Sequence, residues 1–275
     1  MRADIAFGQY CEGRSVLHRL DPRVKIVISI LFIVVIFMAK NIWAIALVTA
    51  AALALVPISG ISPRIVLRGL KPIIFIAVFT AIINIFWVRG DTLLVHFGIV
   101  KIYLEGIINA FLIVLRIVIL LVATSMLLTY TTTPISLTDG LESLLTPLSR
   151  IGVPVHDFAM MMTIALRFIP TLIEETEKIM NAQKARGADF SSGNLVSRAK
   201  ALVPIIIPLF VSAFRRAADL ATAMECRCYT GGKGRTRMNV LHAGAKDYTA
   251  LITTVALGAA VVLINVYVPG YRLNM

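Results

Sequence analysis

Long apolar runs alternate with short polar breaks along most of the chain. A helix needs about 17 to 25 predominantly apolar residues to cross a bilayer. Five runs meet or approach that length and predict transmembrane helices at 24–39, 42–58, 72–88, 106–128 and 248–268. Only Lys40 and Asn41 separate the first two runs, which therefore predict a tight helical hairpin. The pattern indicates an all-α integral membrane protein with about five transmembrane helices.

The region between the fourth and fifth runs has a different pattern, mixed rather than continuously apolar. A short amphipathic stretch occupies 133–150, and apolar residues at helical spacing then predict long helices at 155–186 and 195–228. Both helices begin apolar and end charged. Gly187 predicts the end of the first, and the glycine-rich stretch 231–234 predicts the end of the second.

Prolines lie in the apolar part of both long helices. Pro170 lies in the first, and Pro204 and Pro208 lie in the second. Because an internal proline removes a backbone hydrogen bond and clashes with the preceding turn, we expect kinks at these positions. The region predicts a cytoplasmic or interfacial module of long kinked helices.

The composition excludes an ordinary water-soluble protein. Hydrophobic residues make up 58% of the 275 residues and charged residues 15%, against about 45–50% and about 25% in soluble domains. The formal net charge is nevertheless +12. Of the 27 Lys and Arg residues, 22 fall on one side of the predicted membrane and 4 on the other, with Arg116 inside the fourth run. Short loops rich in Lys and Arg face the cytoplasm, so the excess charge indicates topology and no nucleic-acid partner.

This charge distribution places the N-terminus and the long insert in the cytoplasm and the C-terminus outside. The predicted segments follow the chain in order. They are a cytoplasmic N-terminal segment at 1–23, four transmembrane helices within 24–129, the helical module at 130–247, a fifth transmembrane helix at 248–268 and an external C-terminus at 269–275.

Residue patterns that could indicate an enzyme or a metal site are incomplete. Cys226 and Cys228 are spaced by one residue, whereas structural zinc sites usually separate their thiolates by two to four residues and need two further ligands. Glu174-Glu175 resembles part of an intramembrane protease motif, but Ile179 stands where that motif has arginine. We therefore predict no catalytic residue, no metal ligand and no bound cofactor.

Both long helices end in an arginine flanked by small residues. The first ends in Ala185-Arg186-Gly187, and the second contains Glu225-Cys226-Arg227-Cys228 near its end. A cation is favoured at a helix C-terminus by the helix dipole, and the planar guanidinium can pair with a carboxylate. Two such ends in one module favour a docking function. The Cβ of Cys228 is expected to disfavour the left-handed cap that glycine adopts easily.

Several motifs, in this order along the chain, resemble those of the transmembrane T component of energy-coupling factor transporters. Those transporters are bacterial importers that take up vitamins and metal ions by means of paired ATPase subunits. The motifs are Phe7-Gly-Gln-Tyr10, Ser15-Val-Leu-His-Arg-Leu-Asp-Pro-Arg-Val-Lys25, Leu166-Arg-Phe-Ile-Pro170, Gln183-Lys-Ala-Arg-Gly-Ala-Asp189 and Ala223-Met-Glu-Cys-Arg-Cys-Tyr229.

The resemblance implies a non-catalytic subunit of the bacterial cell membrane. Its partners would be two ATPase subunits, a substrate-binding membrane subunit called the S component, and the lipid bilayer. Arg186 and Arg227 would insert into the two ATPases, although Cys226 and Cys228 replace the Ala and Gly that are usual in the family's second motif. The S component would lie on an apolar helix face. We expect that face to include Leu202, Ile206, Leu209 and Phe210, with apolar partners within 155–173, because an exposed apolar surface implies a partner.

The alternative is a self-sufficient secondary transporter. That class typically has internal repeats, broken helices in corresponding halves and ionisable residues near the bilayer midplane. Arg116 is the one ionisable residue found near the middle of a predicted span. An intramembrane charge is costly and often functional, but Arg116 is equally consistent with a structural charge paired with the insert.

Overall fold

The computed structural model describes residues 10–11, 13, 15–88, 92–97, 100–188, 190, 194–231 and 241–268. Nearly all of the described chain is helical, with one short antiparallel hairpin between the third and fourth helices. The elements are α1 (Pro22–Met38), α2 (Ile42–Ser59), α3 (Pro63–Trp87), β1 (Leu93–Phe97), β2 (Val100–Tyr103), α4 (Leu104–Thr124), α5 (Pro134–Leu145), α6 (Val155–Ala185), α7 (Leu195–Cys226) and α8 (Ala245–Tyr267). A π turn, Ser125–Thr129, extends α4, and a 3₁₀ turn, Thr146–Ile151, follows α5. The predicted C-terminal segment 269–275, residues 7–9 and 189 of the motifs and residues 232–234 lie outside the described residues.

All five predicted transmembrane runs are helical, but the prediction for the third helix was wrong at its start. The apolar run suggested 72–88, whereas α3 begins at Pro63. Ser62 is the N-cap and Pro63 occupies the first turn, where its missing N–H costs no hydrogen bond. Arg64, Arg68 and Lys71 are therefore part of α3 rather than of a loop.

The number of helices that could span a membrane also differs from the prediction. By length and composition, six helices of the described chain are long and apolar enough: α2, α3, α4 with its π turn, α6, α7 from Ala199 onwards, and α8. The first predicted span, α1, has 17 residues. The predicted count of five omitted α6 and α7, because their charged final turns lower the mean hydropathy of each whole helix. Their apolar parts alone are long enough to span a membrane.

The chain divides into two compact units, Met1–Ser143 with Val240–Met275, and Leu144–Asn239. In the first unit, α1, α2, α4 and α8 share one apolar core. Small side chains such as Ala44, Ala52 and Ala123 are almost fully buried there, which permits the close helix approach typical of membrane proteins. Gly258 shows how close this approach is, since an added Cβ would lie 3.0 Å from Val35 Cγ2.

Polar residues join the start of α1 to the start of α8. The Asp21 side chain caps α1 by accepting a hydrogen bond from the Arg23 N–H at 2.9 Å. The backbone N–H of Asp21 in turn donates to Asp247 Oδ1 at 2.7 Å. Lys25, also buried, donates to the Thr131 carbonyl at 2.8 Å. These bonds fix the start of α1 against the start of α8 and against the residues that follow α4 and its π turn.

Candidate functional site

The first arginine-bearing tip ends in a Schellman cap. The Gly187 N–H donates to the Lys184 carbonyl and the Ala188 N–H donates to the Gln183 carbonyl, both at 3.0 Å. Gly187 has φ +85°, the left-handed conformation that such a cap requires. The prediction that Gly187 ends this helix is confirmed. Arg186, the C-cap residue, is thereby held at the point where the chain turns away from the helix.

The second tip has the same cap. The Cys228 N–H donates to the Glu225 carbonyl at 2.8 Å, and the Tyr229 N–H donates to the Met224 carbonyl at 3.0 Å. Arg227 is the C-cap residue, as Arg186 is in the first tip. The two arginines therefore occupy equivalent positions in two caps of identical hydrogen-bond pattern.

The prediction for the end of the second helix was wrong by two residues. The helix was predicted to continue to about Cys228, but α7 ends at Cys226, before the glycine-rich stretch is reached. The sequence left the cap geometry at Cys228 open, and the structure shows the left-handed conformation there, with φ 55°. A left-handed residue with a Cβ costs about 1–2 kcal/mol. The two cap hydrogen bonds satisfy carbonyls that would otherwise be orphaned, and this gain offsets the cost.

All seven predicted tip residues are exposed: Ala185, Arg186, Gly187, Glu225, Cys226, Arg227 and Cys228. Within the described part of the chain, neither guanidinium has a hydrogen-bond or salt-bridge partner. Lys184 adds a second cation beside Arg186, whereas Glu225 stands near Arg227. The tips thus share a backbone geometry but differ in local charge.

An ion pair joins the two long helices below their tips. Arg216 Nη2 of α7 donates to Glu175 Oε2 of α6 at 2.8 Å. Glu175 lies 11 residues before Arg186, and Arg216 lies 11 residues before Arg227. At about 1.5 Å of rise per residue, both tips extend about 16 Å beyond the pair. Sequence analysis missed this pair, although the matching distance of opposite charges from the two arginines could have suggested it.

The predicted apolar docking residues on α7 are largely accessible. Leu202, Ile206 and Phe210 are exposed, and Leu209 is half-buried. On α7 the exposed apolar surface is wider than predicted, because it also includes Val203, Ile207, Val211 and Phe214. On α6, Phe158, Met161 and Met162, which lie within the predicted stretch 155–173, are exposed as well. Spacing by three and four residues, as in 203, 207, 210 and 214, was the signal that could have added them.

Arg116 is nearly buried, with 7% of its surface exposed. Its guanidinium donates to the backbone carbonyl of Ala39, the residue that follows α1. Asn265 of α8 binds the same turn, donating to the Met38 carbonyl at 2.7 Å and accepting from the Asn41 N–H at 3.2 Å. Arg116 and Asn265 thus both hold the α1–α2 turn, and sequence analysis predicted neither contact.

The chain is similar to known proteins over almost its whole length. The family model described as "CbiQ: Cobalt transport protein" matches residues 13–238. A curated relative from Ruminiclostridium cellulolyticum, an energy-coupling factor transporter transmembrane protein EcfT, is 52% identical over 265 residues, covering 96% of this chain and 98% of its own length.

Two further relatives have the same description. The protein from Thermosediminibacter oceani is 53% identical over 91% of this chain and 94% of its own length. The protein from Bacillus subtilis is 45% identical over 94% of this chain and 97% of its own length. Together with the matching helices, these likenesses confirm the resemblance drawn from the motifs. The chain belongs to the CbiQ-like family of energy-coupling factor transporter transmembrane proteins.

Proposed function

We propose that this chain is the coupling subunit of an energy-coupling factor importer. It would transmit the ATP-driven motion of two ATPase subunits to a substrate-binding membrane subunit, for uptake of vitamins or other micronutrients. The chain itself would be non-catalytic, and ATP hydrolysis would take place on the partners. The observation that carries the proposal is the pair of equivalent helix ends, each presenting an exposed C-cap arginine.

The proposed topology follows the distribution of basic residues. Because cytoplasmic loops are enriched in Lys and Arg, residues 1–23 and 130–247 are assigned to the cytoplasmic side of the bacterial plasma membrane. Residues 24–129 would supply four transmembrane helices and 248–268 a fifth, with 269–275 outside. The apolar parts of α6 and α7 would then lie at the membrane boundary, and their charged ends would point to the ATPases.

Docking to the ATPases would use the two guanidinium groups. Each is exposed and has no partner among the described residues, so neither must break a bond within the described chain before it engages a carboxylate. A bidentate arginine–carboxylate pair combines charge with fixed geometry. The Schellman caps support this role because they hold the backbone of each arginine at a rigid corner.

The S component would pack on the exposed apolar surface of α7. Leu202, Ile206 and Phe210 are the predicted contacts, and Phe214 extends the surface, with 69% of its side chain exposed. Phe210 and Phe214 are in ring contact, with centroids 6.2 Å apart, so they form one aromatic patch. Large aromatic side chains are the usual anchors of protein interfaces.

Coupling would require more than attachment. A ligand or partner shifts a conformational equilibrium only by its differential affinity for the two states. ATP-driven closure of the ATPases would move the two tips relative to each other, and the ion pair between Glu175 and Arg216 would make α6 and α7 respond together. The S component, lying on the apolar surface, would sense that change.

The test is a double substitution at the tips, Arg186→Ala with Arg227→Ala, in the complete transporter. We expect ATPase subunits no longer to co-purify with the chain and ATP-dependent uptake to be lost. Removing one partner of a buried interfacial charge pair costs about 2–5 kcal/mol. The matched control is Arg167→Ala with Arg215→Ala, one exposed arginine on each helix but away from the tips.

The control pair should assemble and transport like the unmodified chain. Normal assembly and uptake by the tip variant would overturn the docking role of the arginines. Equal losses in the tip and control variants would show that general positive charge, not the cap position, carries the effect, and this would also contradict the proposal.

A further inference from the structure

A groove opens between α1, α2 and α8 within the first compact unit. Its volume is about 380 Å³, which falls in the range of about 300–1,000 Å³ typical of small-molecule sites. The coupling mechanism gives this groove no role. Its walls are mostly apolar and include Leu20, Ile28, Phe32, Leu55, Leu127 and Leu257.

Among the described residues that line the groove, the polar ones all belong to α8. Lys246 and Thr249 lie in its first turns, and Thr253 and Thr254 follow one turn further on. The Thr249 and Thr253 hydroxyls donate to backbone carbonyls of the preceding turn, at 2.9 and 2.8 Å. Among the described lining residues, Lys246 is therefore the charged one, and its ammonium group is exposed at this end of the groove.

Asp247, the acidic neighbour of Lys246, directs its carboxylate to backbone groups rather than to this lysine. Asp247 is buried, and its two carboxylate oxygens accept hydrogen bonds from the backbone N–H groups of Asp21 and Gly244, both at 2.7 Å. Its carboxylate is thus held by the backbone at the start of α1 and α8. Lys246 remains available to an external anion.

The dimensions of the groove match one leaflet of a bilayer. α8 is one of the helices long and apolar enough to span a membrane, and Lys246 lies at its start. From Lys246 to Leu257 the helix rises about 16 Å, at about 1.5 Å per residue. This is about half of the roughly 30 Å hydrocarbon core. With α8 as a transmembrane helix, the groove would run from the polar boundary to about the middle of the membrane.

We propose that this groove binds one anionic phospholipid, with an acyl chain along the apolar walls and the phosphate at Lys246. The groove supplies what each part of that molecule needs, an apolar channel of leaflet depth and a cation at its polar end. The inference rests on the membrane-spanning character of α8, not on the coupling mechanism. Lipid retention is measured without ATP, so its result is independent of the proposed function.

The test uses the full-length chain reconstituted in vesicles of equal parts phosphatidylcholine and phosphatidylglycerol, then extracted for native mass spectrometry. The unmodified chain should retain phosphatidylglycerol in preference to phosphatidylcholine. Lys246→Gln should lower the retained phosphatidylglycerol about fivefold, the factor that corresponds to about 1 kcal/mol per basic residue near an anionic membrane surface. Lys71→Gln, an exposed lysine on α3, is the matched control and should change nothing.

Filling the groove tests the position of the acyl chain. Ala54→Trp blocks it from α2 and Thr253→Trp blocks it from α8, and either should remove the retained lipid. Ile252→Trp, on the exposed surface of α8 outside the groove, is the control. The proposal is overturned by an unmodified chain without bound phospholipid, by equal retention of the two lipids, or by lipid that survives both blocking variants.

Discussion

Exchanging the left-handed residues of the two helix ends tests how far the shared cap depends on glycine. Cys228 has φ 55° and Gly187 has φ +85°, within caps of the same hydrogen-bond pattern. Cys228→Gly should stabilise the end of α7, because glycine adopts this conformation without a steric penalty. Gly187→Cys should destabilise the end of α6 for the converse reason.

The expected size of the effect follows from two opposing terms. A left-handed residue with a Cβ costs about 1–2 kcal/mol, while the greater freedom of glycine in the open chain costs about 0.5–1 kcal/mol. At the midpoints of these two ranges, the net gain for Cys228→Gly is therefore about 0.75 kcal/mol. Amide exchange through local opening of the helix end slows in proportion to the opening equilibrium constant, so this gain in free energy corresponds to roughly two- to fivefold slower exchange of the cap amides.

Hydrogen–deuterium exchange of the Tyr229 and Ala188 amides measures this directly, because each donates the longer-range bond of its cap. Cys228→Gly should slow the exchange of the Tyr229 amide, and Gly187→Cys should speed that of Ala188. Cys226→Ala is the control, since it changes the neighbouring thiol within the helix but not the left-handed position. Unchanged or faster exchange of Tyr229 in the Cys228→Gly variant would refute the reasoning.

Three further substitutions have defined outcomes. Gly69→Ala should destabilise the chain by about 1–3 kcal/mol in thermal unfolding, because the Cβ of the new alanine would lie 2.5 Å from the Tyr130 hydroxyl oxygen. The loss of stability should be smaller in a chain that also carries Tyr130→Phe, which lacks that oxygen. Glu175→Arg should lower ATP-dependent uptake by placing two cations between the long helices, and adding Arg216→Glu should restore it; uptake unaffected by the single change would contradict a role for the pair. Arg116→Met should cost about 1.5–3 kcal/mol of unfolding free energy, because a carbonyl at the end of α1 loses a charged donor; unchanged stability would show that this bond contributes nothing.

Local patterns were sufficient to predict the helices and the first tip. Hydrophobic length and period depend only on neighbouring residues, and Gly187 is a direct signal for a helix end. The start of α3 was missed because Pro72 was taken as a boundary, although proline is tolerated inside a helix when its surroundings compensate. The Ser62-Pro63 pair carried the correct signal.

Local periodicity did not predict contacts between distant residues. Arg116 and Ala39 are 77 residues apart, and Arg216 and Glu175 are 41 residues apart. No periodicity links such pairs, since their proximity depends on how whole helices pack. For the second pair, the equal distance of Glu175 and Arg216 from the tip arginines was the available signal. The cap at Cys228 is a related case, because intrinsic preference argued against the conformation that the surrounding hydrogen bonds impose.

The ion pair between α6 and α7 lies at an equal chain distance from the two tips, with 11 residues from Glu175 to Arg186 and 11 from Arg216 to Arg227. In the proposed coupling, the pair would be the pivot of two arms of equal length, and a rotation of the helices about it would displace both arginines by the same distance. The two proposed ATPases would then move the tips by equal amounts, and a difference between them would come from the different charges at the tips.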